Sequence, residues 1–342
     1  AWNADLNAVA WDDVSQQRFR AAEQTESDTA FIRTRPEPVE TKTRHLTEIL
    51  EHRYPDWDRA LQGLLRGEID AVPTVEFRDV RGLQNDSRFF TLPTALPRTH
   101  IIMVHPESVL TRSAPLRRAL QQALPRESIL YDHVLDGADR SLGRLVTGPF
   151  ATTSYGYHRD LAQPQYDSTT AAALVATSKK EFDGKLPTLK MVAPSDTCVR
   201  RALPHLLDAW KRVGLTVEVV TEPTTSWDLA YRTVQIVEPF ADLWPLFSPS
   251  GRADQAAIAS FPHPVREEML ELDRAVDWTA AMRGLQRLQR EFLTEARYLP
   301  LWEVDEFTVF RRRVASLVLR PMHPYHDCDR WTVQSWYPTE VP

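Results

Sequence analysis

Apolar positions in this chain fall into short runs whose period changes many times. Leu46, Ile49 and Leu50 share one helical face, as do Ala60, Leu61, Leu64 and Leu65 after the Tyr54-Pro55 break. Gly67 stands where a helix C′ residue belongs. IDAVPTV at 69–75 and FFTLP at 89–93 read as short strands, and THIIMVH at 99–105 as a buried one. Helical segments follow, PLRRALQQAL after Ser113 and RESILYDHVL at 126–135, and then a turn-rich aromatic loop over 148–160. Asp167 is placed to cap the helix STTAAALVATS. LPTLKMVAPS alternates as a strand. Val199, Leu203, Leu206, Leu207, Trp210 and Val213 then recur at helical steps, Gly214 stops the helix, and LTVEVV resumes a strand. That strand–helix–glycine–strand order predicts a βαβ unit with a parallel pair.

The last third begins with a strand in WDLAYRTV that becomes a proline-broken aromatic loop. Two helices, VREEMLELDRAV and TAAMRGLQRLQREFLTEA, precede the strands RYLPLWEVDEFTVF and RRRVASLVLRP. The front of the chain is less patterned. Trp2, Trp11 and Phe19 are isolated aromatics, and Pro36 and Pro38 make 33–42 a strand end plus loop. The expected class is α/β in two lobes, which the length of 342 residues accommodates.

No apolar run approaches the roughly 20 residues of a membrane span. The opening AWNADLNAV has neither a basic n-region nor an apolar h-region, so no signal peptide is read within the chain. A net charge of −6 gives no general attraction to nucleic acid. The 11 glycines form no GxGxxG or GxxxxGK[ST] loop for phosphates. Two cysteines, Cys198 and Cys328, allow one disulfide at most and no CxxC motif.

Templates for catalysis are absent: no HExxH, GxSxG, SxxK or EF-hand loop occurs. His323, His326, Asp327, Cys328 and Asp329 bring metal-ligand chemistry into HPYHDCD, but the expected reading is a polar loop held by prolines. Arg311–Arg312–Arg313 reads as a solvated strand edge. Asp56, Asp58, Glu303, Asp305 and Glu306 likewise read as solvated carboxylates. No enzyme, no cofactor and no metal site are expected.

Six segments in order resemble one family. ALQGLLRGEIDAV at 60–72 is similar to a helix followed by "GeiD", and THIIMVHP at 99–106 to a crossing strand in which Asn more often stands at His105. LRRALQQALPRESILYDHVLDG resembles "vRqAl..aiDRe.i...vl.G", and TGPFATTSYGYHRDLAQPQYDSTTAAALVATS resembles "GpipP…YDpekAkaLLaeAG". HLLDAWKRVGLTVEVV and REFLTEARYLPLWEV complete the series. These are features of the extracellular solute-binding proteins of family 5, the oligopeptide-, dipeptide- and nickel-type receptors of ABC importers.

The resemblance implies a bilobal periplasmic-binding-protein-like fold (type II, cluster C-like) with much of lobe I missing upstream. Residues 1–100 and 303–342 would belong to lobe I. Residues 101–302 would form lobe II, a continuous insert between hinge strands. It also implies a non-enzymatic receptor that holds a peptide or similar small solute between two lobes outside the cytoplasm and passes it to importer membrane subunits. The alternative is a sensory ligand-binding domain of a transcriptional regulator. Aligning VQIVEPFADLWPLF on its proline puts Gln235 where peptide receptors carry an Asp for the ligand ammonium, with acidic Glu238 three residues on. Gln is neutral, which predicts weak discrimination of a free amine. Gln235, Glu238, His105, Tyr155, Tyr157, Trp227, Trp244 and Trp302 are therefore the candidate ligand residues.

Overall fold

The computed structural model describes residues 19–34, 45–106, 108–220, 227–247, 258–259 and 261–334. The expectations for Trp2, Trp11, Pro36 and Pro38 lie outside the described residues. The chain divides into two compact units, one of residues 1–95 with 306–342 and one of residues 96–305.

The first unit contains a three-stranded antiparallel sheet of β1 (Phe19–Gln24), β2 (Asp28–Arg33) and β3 (Glu48–His52). Strand β3 corrects the helical reading of Leu46 to Leu50. Five residues do not separate a period of 3.6 from one of 2, and the ladder to β2, with Phe31 opposite Ile49, decides for the strand. Helix α1 (Trp57–Arg66) forms as expected. The Asp56 side chain accepts from Arg59 N at 2.8 Å, and Gly67 closes the helix at φ 83. The Trp57 indole donates to Asp79 at 2.6 Å, joining α1 to α2 (Phe77–Asn85).

A second sheet places β12 (Phe307–Arg311) between β4 (Ala71–Val72) and β5 (Phe89–Pro93). Strand β4 is shorter than IDAVPTV suggested. Of VASLVL only β13 (Val314–Ala315) is paired, with β14 (Thr332–Val333), since Ser316 turns the chain at φ 64. The core joins Phe19, Phe31, Leu92, Phe310, Cys328 and Trp331.

The arginine run is a solvated edge only at exposed Arg312. Arg311 donates to Leu64 O at 3.0 and 2.6 Å, capping the negative end of α1. Arg313 pairs with Asp70, and Arg312 lies over the Phe90 ring at 4.4 Å.

The second unit is built on a six-stranded mixed sheet, ordered β7 (Gly143–Leu145), β11 (Tyr298–Val304), β6 (Arg98–Val104), β10 (Leu229–Val234), β8 (Leu189–Val192), β9 (Val217–Val220). Strands β8 and β9 pair in parallel, Leu189 opposite Val217, across α5 (Thr197–Arg212). Central β6 pairs antiparallel with both β11 and β10. One face of the sheet carries Ile101, Met103, Ala230 and Tyr298. Helices α6 (His263–Asp273) and α7 (Trp278–Thr294) close over it with Met269, Leu285, Leu288 and Phe292. Helix α3 (Ala114–Gln122) is capped by Ser113 and α4 (Ser168–Lys179) by Asp167. The segment RESILYDHVL departs from a regular helix: residues 129–134 form a π-helical turn, which no periodicity argument anticipated. Both cysteines are free thiols.

His100 lies in β6 with no exposed surface, one ring nitrogen 3.1 Å from the Tyr231 hydroxyl. Burial, and then the Arg98 charge, pull its imidazole down to about 3. The unfolded chain takes up this proton near pH 6.5 and the folded chain does not, so stability falls as pH drops below that value. Between about pH 7 and about pH 5 the loss from this one group is about 2 kcal/mol. Urea denaturation at the two pH values measures it, and His100→Gln is expected to flatten the slope.

Candidate functional site

At the end of the large sheet where the chain enters the second unit, β10 runs into an acidic, aromatic turn. Gln235 donates its amide to Leu96 O at 2.7 Å, fastening this end of β10 to the incoming chain. The next residues fold tightly because Asp242 accepts from both Val237 N at 2.9 Å and Glu238 N at 2.8 Å. Pro239 then starts a short helical turn, Pro239–Asp242.

The loop over 148–160 meets this turn. The Tyr155 hydroxyl donates to the Glu238 carboxylate, which also accepts from Phe240 N at 3.4 Å. Desolvation, and then the hydrogen bond to Glu238, raise the Tyr155 phenol above its ordinary value, so its proton stays and donates. Gly156 makes the approach possible, since a Cβ there would lie 2.7 Å from Pro239 Cγ. Its carbonyl accepts from Gln289 Nε2 at 2.8 Å, tying the loop to α7.

Trp278, the first residue of α7, completes the surface. Its ring centroid is 5.1 Å from that of Tyr155 and 5.4 Å from that of Phe240. Trp278 is 60% exposed and Tyr155 41%. Exposed rings that lie together, unlike single exposed residues, mark surfaces that meet a ligand or partner. The chemistry offered is a ring-lined shelf with the Glu238 carboxylate at its edge and Asp242 behind it in the turn, suited to an apolar group and a neighbouring cation.

The sequence candidates divide. Glu238 and Tyr155 are brought together here with Gln235 nearby, although Gln235 spends its amide on the backbone. Tyr157 and Trp244 are half-buried and pack against the second unit's core. His105 and Trp227 stack edge to face at 4.3 Å, at the far end of β6 and β10 from Gln235, about 20 Å along the strands. Trp302 is corrected outright: it has no exposed surface and lies within the sheet, its ring 6.1 Å from that of His100.

Phe240 and Trp278 were missed. The available signal was Trp278 directly after the cap Asp277, at the start of an amphipathic helix whose apolar face does not need it. Glu303 corrects another expectation. It is wholly buried, and its carboxylate accepts from Arg144 Nε at 2.5 Å and from Thr152 N at 2.7 Å. Thr152 lies in the loop that carries Tyr155, so Glu303 anchors that loop to β11.

The first unit carries a cavity of about 910 Å³, which Tyr54, Phe310, Tyr325 and Trp331 line with Glu51 and Glu68. No sequence candidate lies in it. Among the described residues no group of three or more His, Cys, Asp and Glu side chains could hold a metal ion, and no helix is long and apolar enough to cross a membrane.

Comparison with known proteins connects the chain to a family. Solved structures with the same fold include NikA from Staphylococcus aureus in complex with Ni(L-His)2, with 14% identity and a TM-score of 0.73. That match covers 93% of this chain and 68% of the other. AppA from Bacillus subtilis, an oligopeptide-binding protein in complex with a nonapeptide, matches at 15% identity and a TM-score of 0.74, covering 93% of this chain and 66% of its own. DppA from Helicobacter pylori, in complex with peptide STSA, matches at 12% identity and a TM-score of 0.73, covering 95% and 67%. The chain thus spans about two thirds of the length of these proteins. No curated protein matches it in sequence. The model of the bacterial extracellular solute-binding proteins, family 5 Middle, matches residues 40–246, and the chain belongs to that family.

Proposed function

We propose that this chain binds a small solute, a peptide or peptide-like molecule, without chemically changing it, and serves an ABC importer on the extracytoplasmic side of a bacterial membrane. The observation that carries the reading is the shelf of exposed Tyr155 and Trp278, with half-buried Phe240 between them, beside the Glu238 carboxylate. Family membership supports it, as do the peptides held by AppA and DppA. The expected lobes, 1–100 with 303–342 and 101–302, enter this reading as part of the proposal.

The geometry changes one expectation about the ligand. Gln235 is neutral and engaged with Leu96, so Glu238 is the carboxylate that a ligand ammonium would meet. A free amine is therefore expected to matter through Glu238.

Tryptophan fluorescence titration against a library of short peptides and metabolites tests the function, because Trp278 lies in the shelf. Saturable quenching or enhancement by a peptide subset, lost in Trp278→Phe, is the expected result. No saturable ligand, or turnover of a bound compound in mass spectra, would contradict the reading.

A further inference from the structure

Strand β3 alternates in side-chain direction. Ile49, opposite Phe31, faces the first unit's core, so Glu51 two residues on projects from the same side. There it lines the cavity of about 910 Å³, and the Tyr325 hydroxyl donates to its carboxylate. Burial, and then the Glu51 charge, raise the Tyr325 phenol, which therefore keeps its proton. Among the described residues no Arg, Lys or His pairs with Glu51. A half-buried carboxylate that meets only a neutral phenol has charge to be compensated and lone pairs to spare.

Rings form the wall beside it. The Trp331 ring centroid is 5.1 Å from that of Phe310 and 6.4 Å from that of Tyr325, and Tyr54 lines the cavity as well. Trp331 is 6% exposed, and its indole N–H is buried with no hydrogen-bond partner among the described residues. An unmet buried donor is costly, so this wall lacks an acceptor as well as a cation. Other acids of the lining are partly answered. Asp28 has His52 at 2.6 Å, Asp70 has Arg313, and Glu68 has Arg66 at 3.7 Å. Glu26 and Glu48 add negative charge, against which Arg53 is the one guanidinium of the described lining.

We propose that this cavity is a second ligand site, which takes a small organic ammonium with an apolar body and an oxygen acceptor beside its charge. The ammonium donates to Glu51 while Tyr325 keeps its bond, the oxygen accepts from Trp331, and the body lies against the rings. A volume of about 910 Å³ falls in the range of roughly 300–1,000 Å³ usual for small-molecule pockets. A metal ion suits the site less, since the described residues gather no three His, Cys, Asp or Glu side chains and much of the wall is aromatic. The residues that line it belong to the first unit, so the site is distinct from the Glu238 shelf and does not rest on it.

Phenylalaninamide carries all three features, and calorimetric titration into the 342-residue chain tests the site. The titrations use Glu238→Gln, in which the shelf has lost its carboxylate. Saturable binding is expected there, and N-acetylphenylalaninamide, which lacks the charge, is expected to bind about tenfold more weakly or less. Adding Glu51→Gln is expected to weaken phenylalaninamide by about tenfold and to remove its advantage over the acetylated form. Crystals of the unaltered chain grown with phenylalaninamide supply a readout independent of any variant's folding. The ammonium at Glu51 with the carbonyl oxygen at Trp331 supports the site. No saturable binding, an affinity that Glu51→Gln leaves intact, or phenylalaninamide seated only at the Glu238 shelf overturns it, and the last of these would leave the proposed function standing.

Discussion

Replacing Glu303 by alanine is expected to destabilise the second unit by about 1–3 kcal/mol, since the Thr152 N–H and hydroxyl lose a buried acceptor. The carboxylate has no exposed surface and accepts from Arg144 Nε at 2.5 Å, Thr152 N at 2.7 Å and Thr152 Oγ1 at 2.5 Å. Arg144 keeps Asp305, at 2.6 Å, but Thr152 loses both of its acceptors. Glu303→Gln retains an acceptor for Thr152 and should be milder. Replacing Glu303 and Arg144 together by leucine should not recover the loss, because Asp305 then loses Arg144 and Thr152 still lacks its acceptor. Urea denaturation midpoints decide the matter. A Glu303→Ala shift worth less than about 1 kcal/mol would mean that the site is solvated after all.

A larger loss, about 3–5 kcal/mol, is expected for Trp210→Ala. Trp210 is fully buried, on the face of α5 that also carries Val199, Ala202 and Leu206. Its indole donates to Leu120 O at 2.9 Å, so the ring both fills volume and satisfies a carbonyl at the end of α3. Trp210→Phe keeps most of the volume and gives up the hydrogen bond. It should fall between the two, and the difference measures that bond at about 1 kcal/mol. Equal midpoints for Trp210→Phe and Trp210→Ala would show that packing at this ring contributes little.

How much of this was legible in the sequence depended on whether the signal was local. Helix α1 was readable from a cap, an apolar face and Gly67, and α5 from its long apolar repeat, although Pro204 lies inside it. The strand in THIIMVH and the parallel pairing around α5 followed from run length and punctuation. The failures were decided by distant partners. Strand β3 is a strand because β2 lies beside it. The Arg311–Arg313 run is occupied because α1, Asp70 and Phe90 meet it. Glu303 is buried because Arg144 and Thr152 arrive from about 150 residues away along the chain.

The site shows the same division. Glu238 and Tyr155 were named from the order of segments shared with the family. Phe240 and Trp278 join them through contacts that no window of sequence contains. Trp302 was misassigned because an aromatic at a strand end can face either way, and here it faces inward. His105 and Gln235 are candidates through the family's pattern, and Trp227 as an aromatic of the expected cleft. The antiparallel register of β6 and β10 puts Gln235 at the opposite end from the other two.

The central claim is that the Glu238 shelf receives a solute, and calorimetry with matched peptides tests it most directly. A peptide found in the fluorescence screen would be titrated in its free and N-acetylated forms into the unaltered chain and into Glu238→Gln. The account predicts that acetylation weakens binding by about five- to tenfold in the unaltered chain, the effect of one partly exposed charge-assisted contact. In Glu238→Gln that difference should vanish, with residual binding through Tyr155, Phe240 and Trp278. Equal affinities of both forms for both proteins, with binding also unchanged in Trp278→Ala, would place the solute elsewhere and contradict the account.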